Sequence, residues 1–178
     1  LNLFSLFSLN QLKPTEINAI ALCSVVPPLT QVFEEVCQTY FSTQPLTVGS
    51  GVRTGIKVLY DNPRDVGADR IVDATAAYSL YGGPVIIVDF GTATVVDAVS
   101  ANAEYLGGAI APGLTMGAEA LVANTSILRR VEMVMPKSPI GKTTTSSLQS
   151  GLILGQIDMV EGMVKRFKNE IGAESRVV

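Results

Sequence analysis

The sequence predicts an α/β fold in two halves, each built around its own mixed sheet. Three observations carry this reading. Short β-branched, apolar runs alternate along the chain with stretches whose apolar residues recur at helical spacing. The cluster Tyr81-Gly82-Gly83-Pro84 interrupts the alternation near the middle and divides the chain into residues 1–82 and 83–178. Directly after it, Val85-Ile86-Ile87-Val88-Asp89 is an apolar run bounded by glycines, the signature of a strand buried on both faces, and it ends in a carboxylate.

The elements follow in order. Leu3, Leu6 and Phe7 have helical spacing, so residues 2–11 read as an amphipathic helix. Lys13-Pro14-Thr15 is a loop, and Ile17 to Val26 reads as a strand broken by Pro27-Pro28. Val32, Phe33, Val36 and Tyr40 predict a helix over 29–40. Residues 45–48 form a short strand, 49–55 a loop, and 56–60 an extended segment. Asp61-Asn62-Pro63 is a turn, after which Ile71, Ala74, Ala77 and Tyr78 mark a helix running to about Leu80. Past the glycines come a strand at 85–89, a tight turn at Gly91-Thr92, a strand at 94–99 and a third at 105–110. Pro112-Gly113 opens a helix over 114–123, and residues 124–144 are irregular. Thr144 or Thr145 is expected to cap a helix over 146–170, ended by Gly172. Gly151, Gly155 and Gly162 on that helix predict close packing against a neighbour, and Arg176-Val177-Val178 starts another strand.

Composition narrows the function. The 178 residues suffice for one ordinary domain or two small ones. With 47% hydrophobic and 16% charged residues and a mean hydropathy of +0.35, a sizeable core is expected. Thirteen basic against sixteen acidic residues give a net charge of −3 with no basic stripe, which disfavours nucleic-acid binding. The absence of histidine removes Ser-His-Asp and Cys-His catalysis and His-ligated metal sites. Cys23 and Cys37 lack metal-site spacing and read as buried thiols of a cytoplasmic protein. No apolar run reaches the ~18 residues of a membrane span. The opening stretch has no basic leader and no small-residue cleavage site, so it is not read as a signal peptide. A start without Met and an abrupt end on a nascent strand lead us to expect a fragment, with elements missing at both ends.

Two constellations carry chemistry. Asp89, Gly91, Thr92 and Thr94 place a carboxylate, a glycine and two hydroxyls on one hairpin. The glycine permits close approach, the N–H and hydroxyl groups can donate to phosphate oxygens, and the carboxylate can hold a charge-offsetting cation. A buried hairpin with a polar turn is the plainer reading. Gly67-Ala68-Asp69-Arg70 sets an acid beside a guanidinium at a helix start. Asp69 can simply complement the helix N-terminus with Arg70 a surface charge. It can also accept the proton of an attacking hydroxyl, while Arg70 forks a substrate carboxylate. Gly107-Gly108 is either a plain bulge or a close-approach point beside the phosphate hairpin. Tyr60 is either a half-buried aromatic or a side chain standing over a substrate, since Pro63 turns the chain back from it. Gly141-Lys142-Thr143 is not a P-loop, because Pro136 stands where that motif needs its first glycine.

Taken together, Tyr60-x-x-Pro63-x-x-x-Gly67-Ala68-Asp69-Arg70, Asp89-Phe90-Gly91-Thr92-Ala93-Thr94 and Gly107-Gly108-x-Ile110-x-Pro112-Gly113 resemble type III pantothenate kinases. The resemblance runs from about Ala21 to the chain's end. It implies two ribonuclease-H-like domains of the acetate-and-sugar-kinase, heat-shock-protein and actin superfamily. Here the first domain would lack N-terminal strands and an Asp-x-Gly-Asn-Thr-type phosphate hairpin, and the second its C-terminal, adenosine-side part. It implies ATP-dependent phosphorylation of pantothenate, the first step to coenzyme A. Asp69 would be the general base, and Tyr60, Gly67, Ala68 and Arg70 would line the pantothenate site. Gly91 and Thr92 would meet ATP, which magnesium would accompany. Asp89 would carry a monovalent cation, potassium with ammonium as the alternative. Thr125 would reach the partner's pantothenate site in a homodimer. Val95 replaces a threonine usual in the second block, and Ser126-Ile127-Leu128-Arg129 lacks the family's proline after the leucine. Two other readings share the fold: a non-catalytic regulatory or binding relative, and a superfamily kinase acting on another small carboxylate-bearing alcohol.

Overall fold

The computed structural model describes residues 3–49 and 51–178. They fall into two compact units, one of residues 1–54 and 62–72, the other of 55–61 and 73–178. This division does not coincide with a cut at residue 82, because a short strand before Asp61 pairs into the second sheet.

The first unit is sparse. Helix α1 (Leu3–Leu9) meets the end of helix α2 (Pro27–Phe41) through aromatic rings. Phe4 lies edge-on to Tyr40 at 5.2 Å and Phe7 tilts against Phe41 at 5.5 Å. The strand expected over 17–26 shrinks to β1 (Ala21–Leu22), paired in parallel with β2 (Leu46–Thr47). Pro27 and Pro28 do not merely break that strand. They open α2, where the first turn needs no N–H and a fixed φ is already helical. Cys37 is buried as expected, but Cys23 is exposed. Asn62 caps a 3₁₀ turn at Pro63–Asp65 by accepting from Arg64 N at 3.3 Å. Helix α3 (Ala68–Tyr81) then begins, and from Asp73 onward it belongs to the second unit.

The second unit is built on a five-stranded mixed sheet. Its strands are β3 (Lys57–Val58), β4 (Val85–Phe90), β5 (Ala93–Val99), β6 (Glu104–Pro112) and β7 (Arg176–Val177), in the order β3-β6-β5-β4-β7. β4, β5 and β6 form an antiparallel meander, while β3 and β7 join its edges in parallel. Val85, Ile86 and Val99 are fully buried, as a strand covered on both faces requires. Helix α4 (Leu114–Ala123) lies against β5. A continuous helical stretch follows as α5 (Thr144–Gln149), a π-helical turn (Ser150–Leu154) and α6 (Gly155–Ile171), the last packed on β5 and β4. Val160, Met163, Val164, Phe167 and Ile171 form its inward stripe at helical spacing.

Two expectations for this stretch need correcting. The cap is Thr143, whose hydroxyl accepts from Ser146 N at 3.1 Å, one residue earlier than the pattern indicated. A Cβ at Gly151, Gly155 or Gly162 would meet nothing within 4 Å, so these glycines do not seat a neighbouring element among the described residues.

Candidate active site

The chemistry-bearing residues sit in both units. In the first, Asp69 stands in the opening turn of α3 and is exposed. One of its oxygens accepts from Arg70 N at 2.8 Å, so the carboxylate folds back over the helix N-terminus, where the dipole favours an anion. A Cβ on Gly67 would collide with that oxygen, so glycine at this position lets the carboxylate take this pose. An ionised carboxylate has about four acceptor sites, so the bond to Arg70 N leaves capacity to spare. Ala68 and Arg70 are half-buried beside it. The plainer reading of Asp69 as a helix-end anion describes its geometry, and its exposure keeps it available for chemistry.

In the second unit, Asp89 and Phe90 emerge exposed at the end of a strand whose first three residues are buried. The Gly91-Thr92 turn links them to β5. Gly91 N donates to Ala93 O at 2.9 Å, so that amide is spent within the hairpin. The Thr92 hydroxyl makes no hydrogen bond among the described residues and is exposed. Gly91 has no side chain to screen Asp89, since a Cβ there would sit 3.9 Å from Asp89 Oδ2. Gly113 pins the turn from behind: its N–H donates to Thr92 O at 3.0 Å, and any Cβ would strike the Gly91 and Thr92 carbonyls. The sheet, rather than the loop itself, therefore sets where the tip lies.

Gly107 and Gly108 are not beside this tip. They pair with Ala98 and Asp97, at the far end of β5, about 20 Å away at ~3.3 Å per residue. They do mark a bulge, and Gly107 faces the half-buried Tyr60 instead. Thr125, exposed after α4, donates to Leu121 O at 2.7 Å and accepts from Leu128 N at 3.3 Å. Its proton is thus committed within its own chain.

One feature near the hairpin escaped the sequence reading. A cavity of about 500 Å³ opens beside the tip, lined by Phe90, Gly91, Thr94, Leu114, Ile153 and Gln156 among others. Gln156 Nε2 donates to Thr94 Oγ1 at 2.6 Å and ties α6 to the second hairpin strand. The signal was present as one polar residue among Ile153, Ile157 and Val160 at helical spacing. Among the described residues, no group of three or more His, Cys, Asp or Glu side chains is placed to hold a metal ion. No described helix is long and apolar enough to cross a membrane.

Comparison with known proteins identifies a family. The family model described as type III pantothenate kinase matches residues 2–166. Two curated relatives of that name from Dehalococcoides mccartyi strains BAV1 and 195 are 53% and 51% identical, over 92% and 94% of this chain. Another, from Moorella thermoacetica, is 51% identical over 92%. The chain spans 62%, 65% and 64% of these relatives' own lengths.

Proposed function

The chain belongs to the type III pantothenate kinase family, and from that premise we propose that the whole protein transfers the γ-phosphoryl group of ATP to pantothenate. The product is 4′-phosphopantothenate, and the reaction opens coenzyme A biosynthesis. The observation that carries the proposal is the exposure of two carboxylates, each presented by a glycine-shaped frame: Asp69 on its helix end and Asp89 on its hairpin.

In this reading the pantothenate hydroxyl oxygen bonds to the γ-phosphorus and the bridging P–O bond to ADP breaks. Asp69 takes the hydroxyl proton. Arg70 pairs with the pantothenate carboxylate as a bidentate fork, and Gly67, Ala68 and Tyr60 are, by the family resemblance, the other pantothenate-binding residues. Thr92 donates to ATP phosphate oxygens, and the side-chain-free Gly91 lets them approach. Phosphoryl transfer asks mainly for such positioning and charge neutralisation. By the family resemblance, Asp89 would hold a monovalent cation, potassium with ammonium as the alternative. Bound there, with magnesium accompanying ATP, it offsets phosphate charge.

The proposal extends to two ribonuclease-H-like domains in the whole protein, divided at Gly82-Gly83, and to a cytoplasmic homodimer. Thr125 would then meet the partner's substrate through its methyl group and remaining acceptor capacity, since its proton is already used. The test is a coupled ADP-release assay on the full-length protein, with and without pantothenate and potassium. Release is expected only with both present. Release without pantothenate would refute the reading.

A further inference from the structure

Tyr60 is held less by its own strand than by Tyr105. Strand β3 is two residues long, and β6 is its neighbour in the sheet. Tyr60 follows that strand, so its backbone tether is short. Tyr105 supplies three further restraints. Its carbonyl accepts from Leu59 N at 2.9 Å. Its ring lies 6.3 Å from the Tyr60 ring at an interplanar angle of 43°, an ordinary tilted aromatic contact. Its hydroxyl donates to Asp97 Oδ1 at 2.9 Å. Tyr105 is 0% and Asp97 3% exposed.

Local backbone geometry completes the seat. Ala98 pairs with Gly107 and Val99 with Tyr105, so Leu106 is the extra residue of a bulge. Gly107 has φ 114°, a conformation that side chains rarely adopt. A Cβ there would stand 3.3 Å and 3.5 Å from Tyr60 Cε2 and Cδ2. The bare glycine thus lies beside one edge of the Tyr60 ring, with the Tyr105 ring in tilted contact with it.

We propose that Tyr105, locked by Asp97, is a positioning residue that fixes the Tyr60 ring for the acceptor alcohol. A buried carboxylate is costly without donors, so Asp97 keeps the Tyr105 hydroxyl engaged and its ring in one rotamer. Neither residue touches the reacting atoms. The identity of the alcohol rests on the function proposed above, whereas the seating of Tyr60 does not.

The test uses the full-length protein carrying 3-fluorotyrosine at position 60 alone, read by fluorine NMR and steady-state kinetics. In Tyr105→Phe the Tyr60 signal is expected to shift or broaden. The KM for pantothenate should rise about three- to tenfold, the range a lost hydrogen bond covers when it acts on binding, with the KM for ATP unchanged. Asp97→Asn retains an acceptor for the hydroxyl and should stay near wild type in both readouts. Should Tyr105→Phe alone fail to fold, the double variant Tyr105→Phe/Asp97→Asn removes the under-satisfied buried charge and carries the same expectations. An unmoved Tyr60 signal with both KM values unchanged, even at a lowered Tm, would overturn the proposal. If the wild type does not phosphorylate pantothenate, the function proposed above fails, and the fluorine signal alone decides the positioning role.

Discussion

Two helices from the two units show how differently this chain treats its apolar residues. In the second unit, α6 presses an apolar stripe onto a sheet in which Val85 and Ile86 are fully buried. In the first, Val32 and Phe33 on α2 remain 52% and 48% exposed. The candidate residues are held accordingly. Asp89 and Thr92 are set by a paired, covered sheet and by the Gly113 contact, whereas Asp69 is set by one helix end and one glycine. The lesson is that substitutions at the first unit's chemistry should alter turnover with little change in stability, and that stability should be governed by the second unit's core.

The largest expected effect tests the first half of that statement. Asp69→Asn in the full-length protein should lower kcat by a factor of about 10²–10⁴, with ATP KM unchanged and a stability loss of no more than about 1 kcal/mol from the neutralised helix end. Unchanged turnover would remove the proposed base. The second half is tested by Ile86→Ala, which opens a cavity in the covered sheet. It should cost about 2–5 kcal/mol by urea unfolding. A smaller effect is expected at Thr143, where Thr143→Ala removes the helix cap and should cost about 1 kcal/mol in the same measurement. The smallest belongs to Phe33→Ala, which on the exposure seen here should change stability by no more than about 0.5 kcal/mol. A loss as large as that at Ile86 would mean that further chain or a partner covers α2, and the contrast between the units would dissolve.

Where sequence signals were local, they could be read. The buried strand at Val85, the hairpin turn and the helix after Gly113 depend on period and on turn residues within a few positions. The Asp69 helix start is of the same kind. Non-local features were not legible. The run from Ile17 to Val26 has strand composition throughout, yet only Ala21 and Leu22 pair, because strand length is decided by what lies alongside. The sequence leaves Gly107 either a plain bulge or a close-approach point beside the phosphate hairpin, and only the bulge is found. The register of β6 carries it to the opposite end, and a sequence without its partner strand does not reveal register. Gln156 meets Thr94 from 62 residues away, and Tyr105 meets Asp97 across a bulge. Such pairs exist only once the sheet is assembled. The family resemblance reached the candidate residues by a different route, through the order and spacing of whole blocks.

Both exposed carboxylates are proposed to serve one phosphoryl transfer to pantothenate. The most direct test of this role is to incubate the full-length protein with ATP, pantothenate and potassium and to quantify both products by mass spectrometry. Phosphopantothenate and ADP are expected one for one. ADP accumulating beside unmodified pantothenate would contradict it.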